Sequence, residues 1–381
     1  MPWMETCAVR ERLQFVRDSA RGHYSFRDLC LRYGISCKTG YKWLRRYEAE
    51  GIRGLEDRSR APGTCPHRIA PQVEEAILEV RKGHPSWGPR KILSYLEERT
   101  ELSLPAASTA GDLLKRKGLI EKRRRRAQWK HPGTPAVTTK GPNDVWTADF
   151  KGEFRTLDGV YCYPLTIVDH HSRYLLGVQA LPSTHGEGVR GVFERVFKEV
   201  GLPRAIRTDN GGPFASTGIH GLSQLNVWWL KLGIQHDRIR PGHPEQNGAH
   251  ERMHRTLKAE ATRPPGKNLR GQQQRFARFV REYNEERPHE SLGQKPPARI
   301  WTPSEREYPR TVKDPEYPGH HLVRKVDNGG SIKFKRRGVF LSVTLRKEWI
   351  GLEEITDGVW GIYFYDVRLG TLEEREWRLY A

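Results

Sequence analysis

Val145-Trp146-Thr147-Ala148-Asp149-Phe150-Lys151 alternates along its length, and the neighbouring segments can be placed by what that alternation implies. A strand turns successive side chains to opposite faces, so Trp146, Ala148 and Phe150 share one side while Thr147, Asp149 and Lys151 share the other. Asp149 is thereby carried on stiff backbone and pointed away from the aromatic side. Further along, Ala205-Ile206-Arg207-Thr208 reads as a short strand after Pro203, with Asp209 at its carboxyl end before Asn210-Gly211-Gly212. Strand ends of this kind are common sites in α/β sheets, and the glycines admit a bulky backbone. A helix predicted from near Pro244 puts Ala249, Met253 and Leu257 on a buried stripe, and Asn247, Glu251, His254 and Lys258 on another face. Glu251 then points off the core, among basic groups suited to phosphate.

Three acids presented this way suit displacement at a phosphodiester, which needs cations to offset oxygen charge and hold nucleophile and leaving group in line. Magnesium takes oxygen ligands and keeps several waters, so two or three carboxylates suffice. Around Asp149, Asp209 and Glu251 the element order reads strand, strand, strand, helix, strand, helix, strand, helix, a mixed sheet with covering helices.

W-T-A-D-F, V-D-H-H-S-R-Y, R-T-D-N-G-G-P-F, P-G-H-P-E-Q-N-G-A-H-E-R and Y-N-E-E-R-P-H-E-S-L resemble the catalytic core of insertion-sequence transposases in the retroviral-integrase superfamily. The likeness covers about residues 141–301. It implies a ribonuclease-H-like fold, a DDE triad on Asp149, Asp209 and Glu251, two Mg²⁺ or Mn²⁺ ions held by those three acids, and activity on transposon ends. One departure is the 41 residues between Asp209 and Glu251, more than in the family's archetype. The insertion is assigned to Ser216–Gly221, a flexible loop before a Leu222–Leu232 helix, with Glu245 as the substitute third acid if that placement fails.

His250-Glu251-Arg252-Met253-His254 also spells H-E-x-x-H, the zinc metalloprotease pattern. Arg252 inside the motif, and the lack of a secretory segment or an obvious third ligand, weigh against that reading. The histidines are expected to contact DNA or pack beside the site.

Composition fits a nucleic-acid partner. The chain has 381 residues, room for several cores, and its 66 Lys and Arg against 46 Asp and Glu give a formal charge of +20. Such an excess favours a polyanion through counterion release, so binding should weaken steeply with salt. Five cysteines, at 7, 30, 37, 65 and 162, form no C-x-x-C pair, which suggests a reducing compartment and no cysteine-based zinc site. Neither signal peptide nor transmembrane run is indicated, and a cytoplasmic, nucleoid-associated protein is the expectation.

In chain order, residues 8–56 read as a helix-turn-helix domain: Ser25 caps a helix Phe26–Tyr33, Gly34 turns, and Ser36 caps Cys37–Glu50. The second helix presents Lys38, Thr39, Lys42, Arg45 and Arg46 to a major groove, with Trp43, Leu44 and Tyr47 packed behind. Gly40 is out of place there, since glycine weakens a helix by about 1 kcal/mol relative to alanine. Residues 67–121 form a second helix-turn-helix-like unit, from Pro71–Lys82, Pro89–Arg99 and Ala106–Lys117. A basic linker, 122–140, carries Arg123, Arg124, Arg125 and Arg126, suited to phosphate backbone. Within the core, Tyr161–Val168 and Tyr174–Leu181 pair as a hairpin whose turn holds Asp169, a decoy acid. A later helix, Leu269–Glu286, buries Phe276, Phe279, Val280 and Tyr283, and Arg287 beyond it supports either DNA or the fold. Residues 320–381 show short β runs, predicting a small barrel-like or sandwich domain whose Lys333, Lys335, Arg336 and Arg337 suit DNA or a protein.

The fold class expected is thus multidomain: all-α helix-turn-helix modules, an α/β ribonuclease-H-like core and an all-β carboxyl-terminal domain. The function expected is transposition, with terminal inverted repeats and target DNA as partners and a homo-oligomer in the DNA complex, as the resemblance implies. A noncatalytic regulator derived from a transposase, and the zinc protease, are the alternatives.

Overall fold

The computed structural model describes residues 7–58, 69–120, 139–216, 218–240 and 247–380. Two compact units divide the chain, at residues 1–69 and 70–381.

The first unit holds α1 (Ala8–Arg21), α2 (Phe26–Arg32) and α3 (Cys37–Glu50) around Phe15, Val16, Leu29, Cys30, Trp43 and Leu55. The two serine caps form as expected: Ser25 accepts from the Asp28 amide and Ser36 from the Thr39 amide. Gly40 now has a reason. A Cβ there would sit 2.8 Å from Cys30 Sγ and 2.9 Å from the Phe15 and Phe26 rings, so the close approach of three helices excludes any side chain.

In the second unit, α4 (Pro71–Gly83), α5 (Pro89–Glu97) and α6 (Ala107–Arg116) lie near their predicted bounds. They are docked on the following core: His84 Nδ1 is 2.7 Å from Glu282, Ser94 Oγ donates to the Gln294 carbonyl at 3.3 Å, and Arg90 pairs with Glu290 at 3.2 Å.

The core sheet comprises β1 (Val145–Phe150), a short β2 (Phe154–Arg155), β3 (Tyr161–Asp169), β4 (Leu175–Leu181), β5 (Ala205–Thr208) and β6 (Gln235–Arg238). β3 lies antiparallel between β1 and β4, and β5 and β6 follow β1 in parallel, which gives the expected mixed sheet. α7 (Gly186–Val200) and α8 (Gln224–Lys231) cover the face of Trp146, Ala148 and Ile206. α9 (Gly248–Ala261) and α10 (Leu269–Glu285) cover the other through Met253, Leu257, Phe276, Phe279 and Tyr283. Asp169 does stabilise its turn: fully buried, it accepts from Asn143 N at 2.8 Å, Ser172 N at 2.8 Å and Ser172 Oγ at 2.6 Å. Arg287 serves the fold, gripping both oxygens of Glu260 at 2.8 and 2.9 Å.

The carboxyl-terminal region is a five-stranded antiparallel sheet of β7 (Leu322–Lys325), β10 (Trp349–Thr356), β11 (Val359–Phe364), β12 (Val367–Glu373) and β13 (Arg378–Tyr380). A hairpin of β8 (Ser331–Phe334) and β9 (Arg337–Phe340) packs on it through Ile332, Phe334 and Val339. Among the described residues the region is all-β as expected, but its strands form two separate antiparallel sheets rather than the barrel-like closure. Lys335 pairs with Glu374, and the Arg337 guanidinium lies over Trp377.

One expectation fails here. The segment assigned as a flexible loop contains Ile219, which with Leu222 joins Val227 and Leu230 of α8 in one apolar cluster with Val326, Leu341 and Leu345 of the carboxyl-terminal region. Arg238 holds the His220 carbonyl at 2.5 Å, and Lys231 pairs with Glu348 at 2.7 Å. The partners that anchor this segment lie far downstream, so its own composition could not reveal them.

Candidate active site

Asp149 stands opposite Thr166 on β3, on the face that α9 covers, and only 19% of its side-chain surface is exposed. Burial first, then the charge of Asp209 and more weakly that of Glu251, push its carboxyl up to about 7, while hydrogen bonds from the Phe150 amide and Asn247 pull it down. Asn247 Nδ2 donates to Asp149 Oδ2 at 3.2 Å, so this residue, expected to meet DNA, also touches the acid.

Asp209 follows β5 as expected, is exposed, and accepts from the Gly211 amide at 3.1 Å. Asn210 donates to the Ile239 carbonyl at 2.8 Å and ties this turn to the strand beside it. Glu251 lies exposed in the first turn of α9. The strands carrying Asp149 and preceding Asp209 lie side by side in parallel, and Glu251 sits in the first turn of the helix over Asp149, although the three carboxylates do not all lie within 4.8 Å of one another.

Positive charge flanks the cluster. Lys151 lies beside Asp149, its pKa lowered by burial and by Lys258, and Lys258 is exposed on α9. A buried carboxyl raised by like charges is an arrangement that a divalent cation would relieve, and an all-oxygen set suits Mg²⁺ or Mn²⁺. The chain's residues therefore fit such an ion. Glu245, the substitute acid, lies outside the described residues.

The inner stripe of α9 differs from the prediction. His250, Met253, His254, Leu257 and Ala261 are buried, and Ala249 is only partly so. His254, expected on the DNA side, is instead inside, with Nδ1 3.7 Å from Asp149 Oδ2. Polar partners explain this. Nε2 of both His250 and His254 lies 2.7 Å from Thr166 Oγ1, and His250 Nδ1 is 2.8 Å from Thr147 Oγ1. Burial keeps both imidazoles neutral, lowering His254 to about 3 and His250 well below its ordinary value. Thr166 is the site residue that the sequence did not single out; Thr147 was placed on the Asp149 face by the alternation and His250 by the H-E-x-x-H string, whereas Thr166 is found only through the register that pairs it with Asp149.

Asp149, His250 and His254 have ligand atoms within 4.8 Å of one another, as a zinc site would need. Both Nε2 atoms are nevertheless committed to Thr166, and Glu251, which would be the protease's base, stands on the solvent side. Three of the four ring nitrogens are thus engaged by threonine hydroxyls, which weighs against the protease reading.

In the first unit, Lys38, Lys42 and Arg45 are exposed on α3. Thr39 is half-buried and shares a hydrogen bond with Ser36 at 2.9 Å, while Arg46 is half-buried with its guanidinium 5.2 Å from the Trp43 ring. Arg123, Arg124, Arg125 and Arg126 lie outside the described residues.

Residues 139–244 and 232–297 match integrase core domain families, residues 11–63 a helix-turn-helix domain and residues 39–114 a homeodomain-like domain. An uncharacterized 39.2 kDa protein of insertion element IS476 from Xanthomonas euvesicatoria is 28% identical over 254 residues, 65% of this chain and 70% of that protein. A 31.7 kDa protein of insertion element IS407 from Burkholderia multivorans is 27% identical over 49% of this chain and 66% of its own length. The Gag-Pol polyprotein of baboon endogenous virus is 26% identical over 57% of this chain but only 12% of its own length. The magnesium-bound HTLV-2 integrase catalytic core is 18% identical, covering 43% of this chain and 99% of that one at a TM-score of 0.35, too loose a likeness to bear on chemistry. Among the described residues no helix is long and apolar enough to cross a membrane.

Proposed function

We propose that this chain, which belongs to the transposases of the retroviral-integrase superfamily, binds the ends of a DNA element, cuts there and joins the exposed 3′-hydroxyl to target DNA. The observation that carries the reading is the placement of the acids: Asp149 on β1, Asp209 just past the adjacent parallel β5, and Glu251 in the first turn of α9, whose Asn247 cap donates to Asp149 Oδ2 at 3.2 Å. Such a cluster has a use when cations and phosphate arrive and little use otherwise.

Asp149, Asp209 and Glu251 would hold two Mg²⁺ or Mn²⁺ ions. When bound, the ions supply charge stabilisation at the phosphate and activate the attacking oxygen. The chain's own residues do the rest. Asn247 orients Asp149 by donating to Oδ2, and Lys151 and Lys258 offer charge to the DNA backbone beside the acids. In the joining step one P–O bond of the target forms to the 3′-oxygen as another breaks, so no protein–DNA covalent intermediate is needed.

Division of labour follows the modules. Residues 8–56 and 67–121 read the terminal repeats, with Lys38, Lys42 and Arg45 facing the groove, and Thr39 and Arg46 supporting that helix. The linker 122–140, with Arg123, Arg124, Arg125 and Arg126, follows phosphate. The core 141–301 carries the chemistry, and 320–381 braces it. Joining requires two ends at once, so the working form on DNA is a homo-oligomer, located wherever the chromosome is.

The test supplies pre-cut end DNA with Mg²⁺ and measures joining by wild type, Asp149→Asn, Asp209→Asn and Glu251→Gln. Binding should persist and joining vanish in all three variants. Joining by all of them at the wild-type rate removes the assignment.

A further inference from the structure

The H-E-x-x-H string turns both of its histidines into the protein interior. Its two imidazoles meet at one hydroxyl. Thr166 Oγ1 donates to the main-chain oxygen of Asp149 at 2.9 Å, and a carbonyl can only accept, so the single hydroxyl proton is committed there. With the proton so placed, lone pairs remain for the two Nε2 atoms at 2.7 Å, and the arrangement that satisfies all three contacts has both imidazoles presenting Nε2–H. His250 Nδ1 is then an acceptor and takes the Thr147 hydroxyl proton at 2.8 Å, in preference to the 3.4 Å contact from that hydroxyl to the Val168 carbonyl. Thr147, Thr166, His250 and His254 are all buried, so no water competes for these bonds.

The network crosses from β1 and β3 to α9. Residues four apart share a helical face, which turns His250 and His254 inward together and leaves Glu251, about 100° round from His250, on the outer side. Met253 and Leu257 also pack inward, but apolar contacts tolerate a small slide or roll of the helix. Directional bonds from two points one turn apart do not. The strand end of the network is the main chain of Asp149 itself, through Thr166.

We propose that Thr166, His250 and His254 form a positioning clamp that sets the roll of α9 on the sheet, so that Glu251 and Asp149 are presented to the same divalent cations. The proposal rests on the metal-dependent reading of the three acids. The clamp residues touch neither substrate nor ion; they act through the carboxylates.

The test uses the full chain without DNA and measures Mn²⁺ binding by the loss of the free-ion paramagnetic resonance signal, alongside thermal melting and near-ultraviolet circular dichroism. Thr166→Val keeps the shape and removes the hydroxyl, and Thr166→Ser restores it. The valine variant should fold and bind Mn²⁺ about tenfold or more weakly, as loss of a residue that orients a metal ligand does, while the serine variant stays within about twofold of wild type. His254→Gln retains a donor near the Nε2 position and should bind almost as wild type, whereas His254→Leu should weaken binding like Thr166→Val.

A folded Thr166→Val with wild-type affinity overturns the clamp. Should Thr166→Val fail to fold, the His254 pair decides. Equal loss in His254→Gln and His254→Leu would make the imidazole a ligand and overturn the clamp as well. Asp149→Asn and Asp209→Asn separate the two layers: if they abolish binding while the clamp variants do not alter it, only the clamp falls. If they bind Mn²⁺ like wild type, the metal reading falls and takes the clamp with it.

Discussion

Replacing Asp149 by Asn should stabilise the metal-free protein at neutral and alkaline pH and do almost nothing in acid. The carboxyl is raised from its ordinary 3.8 to about 7, chiefly by burial and by Asp209. At ~1.4 kcal/mol per pH decade that displacement amounts to about 4 kcal/mol. The sign follows from which state holds the proton more tightly. Below 3.8 both folded and unfolded chains carry it, and no stability is lost. As the pH climbs towards 7 the unfolded chain ionises freely while the folded one resists, and the native state loses up to that full amount. Asn cannot titrate, keeps an oxygen for the Asn247 amide, and escapes the loss. Urea denaturation of both proteins in a chelator, at about pH 4 and about pH 8, should show the advantage of Asn growing by about 4 kcal/mol across the interval. Millimolar Mg²⁺ should shrink the advantage by stabilising the ionised wild type. An advantage that is constant with pH, or one that grows towards acid, would refute the reasoning.

Three further outcomes are expected. Asp169→Ala should destabilise the second unit by about 3 kcal/mol or more, because three buried donors lose their acceptor, yet leave Mn²⁺ affinity unchanged in the protein that remains folded; urea denaturation and metal titration together check this. Gly40→Ala should lower protection of the α3 amides in hydrogen exchange, since overpacking of about 1–3 kcal/mol exceeds the ~1 kcal/mol gain in helix propensity. Lys42→Ala and Arg45→Ala should each reduce the slope of log binding constant against log salt by about 0.9 on end DNA, read by fluorescence anisotropy; an unchanged slope would take those side chains off the phosphates.

Much of this was legible because the signals were local. The alternation in 145–151 put Trp146 and Asp149 on opposite faces, as β1 has them, and Ser25 and Ser36 announced their helices. Asp169 sat in a turn sequence and serves that turn. The failures share the opposite property. Histidine reads as polar in a periodicity count, so His254 was assigned outward and His250 to no buried stripe. The hydroxyls that make them cheap to bury lie 84 to 103 residues away in sequence. The β runs legible in 320–381 are Ser331–Phe334, Gly338–Val343, Trp349–Leu352 and Gly358–Tyr365; Leu322–Lys325 and Val367–Glu373 are not among them because half their side chains are charged or small, and pairing with β10 and β11 decides them. Gly40 looked like a flaw until its neighbours were in place.

α8 is buried on opposite sides, with Trp228 and Trp229 against the central sheet and Val227 and Leu230 against the carboxyl-terminal strands. It works as a rivet, and rivets make parts hard to trade. A chimera that kept residues up to 301 and received a foreign tail would strand Ile219, Leu222, Val227 and Leu230 in water unless the newcomer brought a matching apolar face. The loosened segment would be the one that leads away from Asp209, so shuffling of tails among such proteins should be constrained by this seam as much as by any contact with nucleic acid.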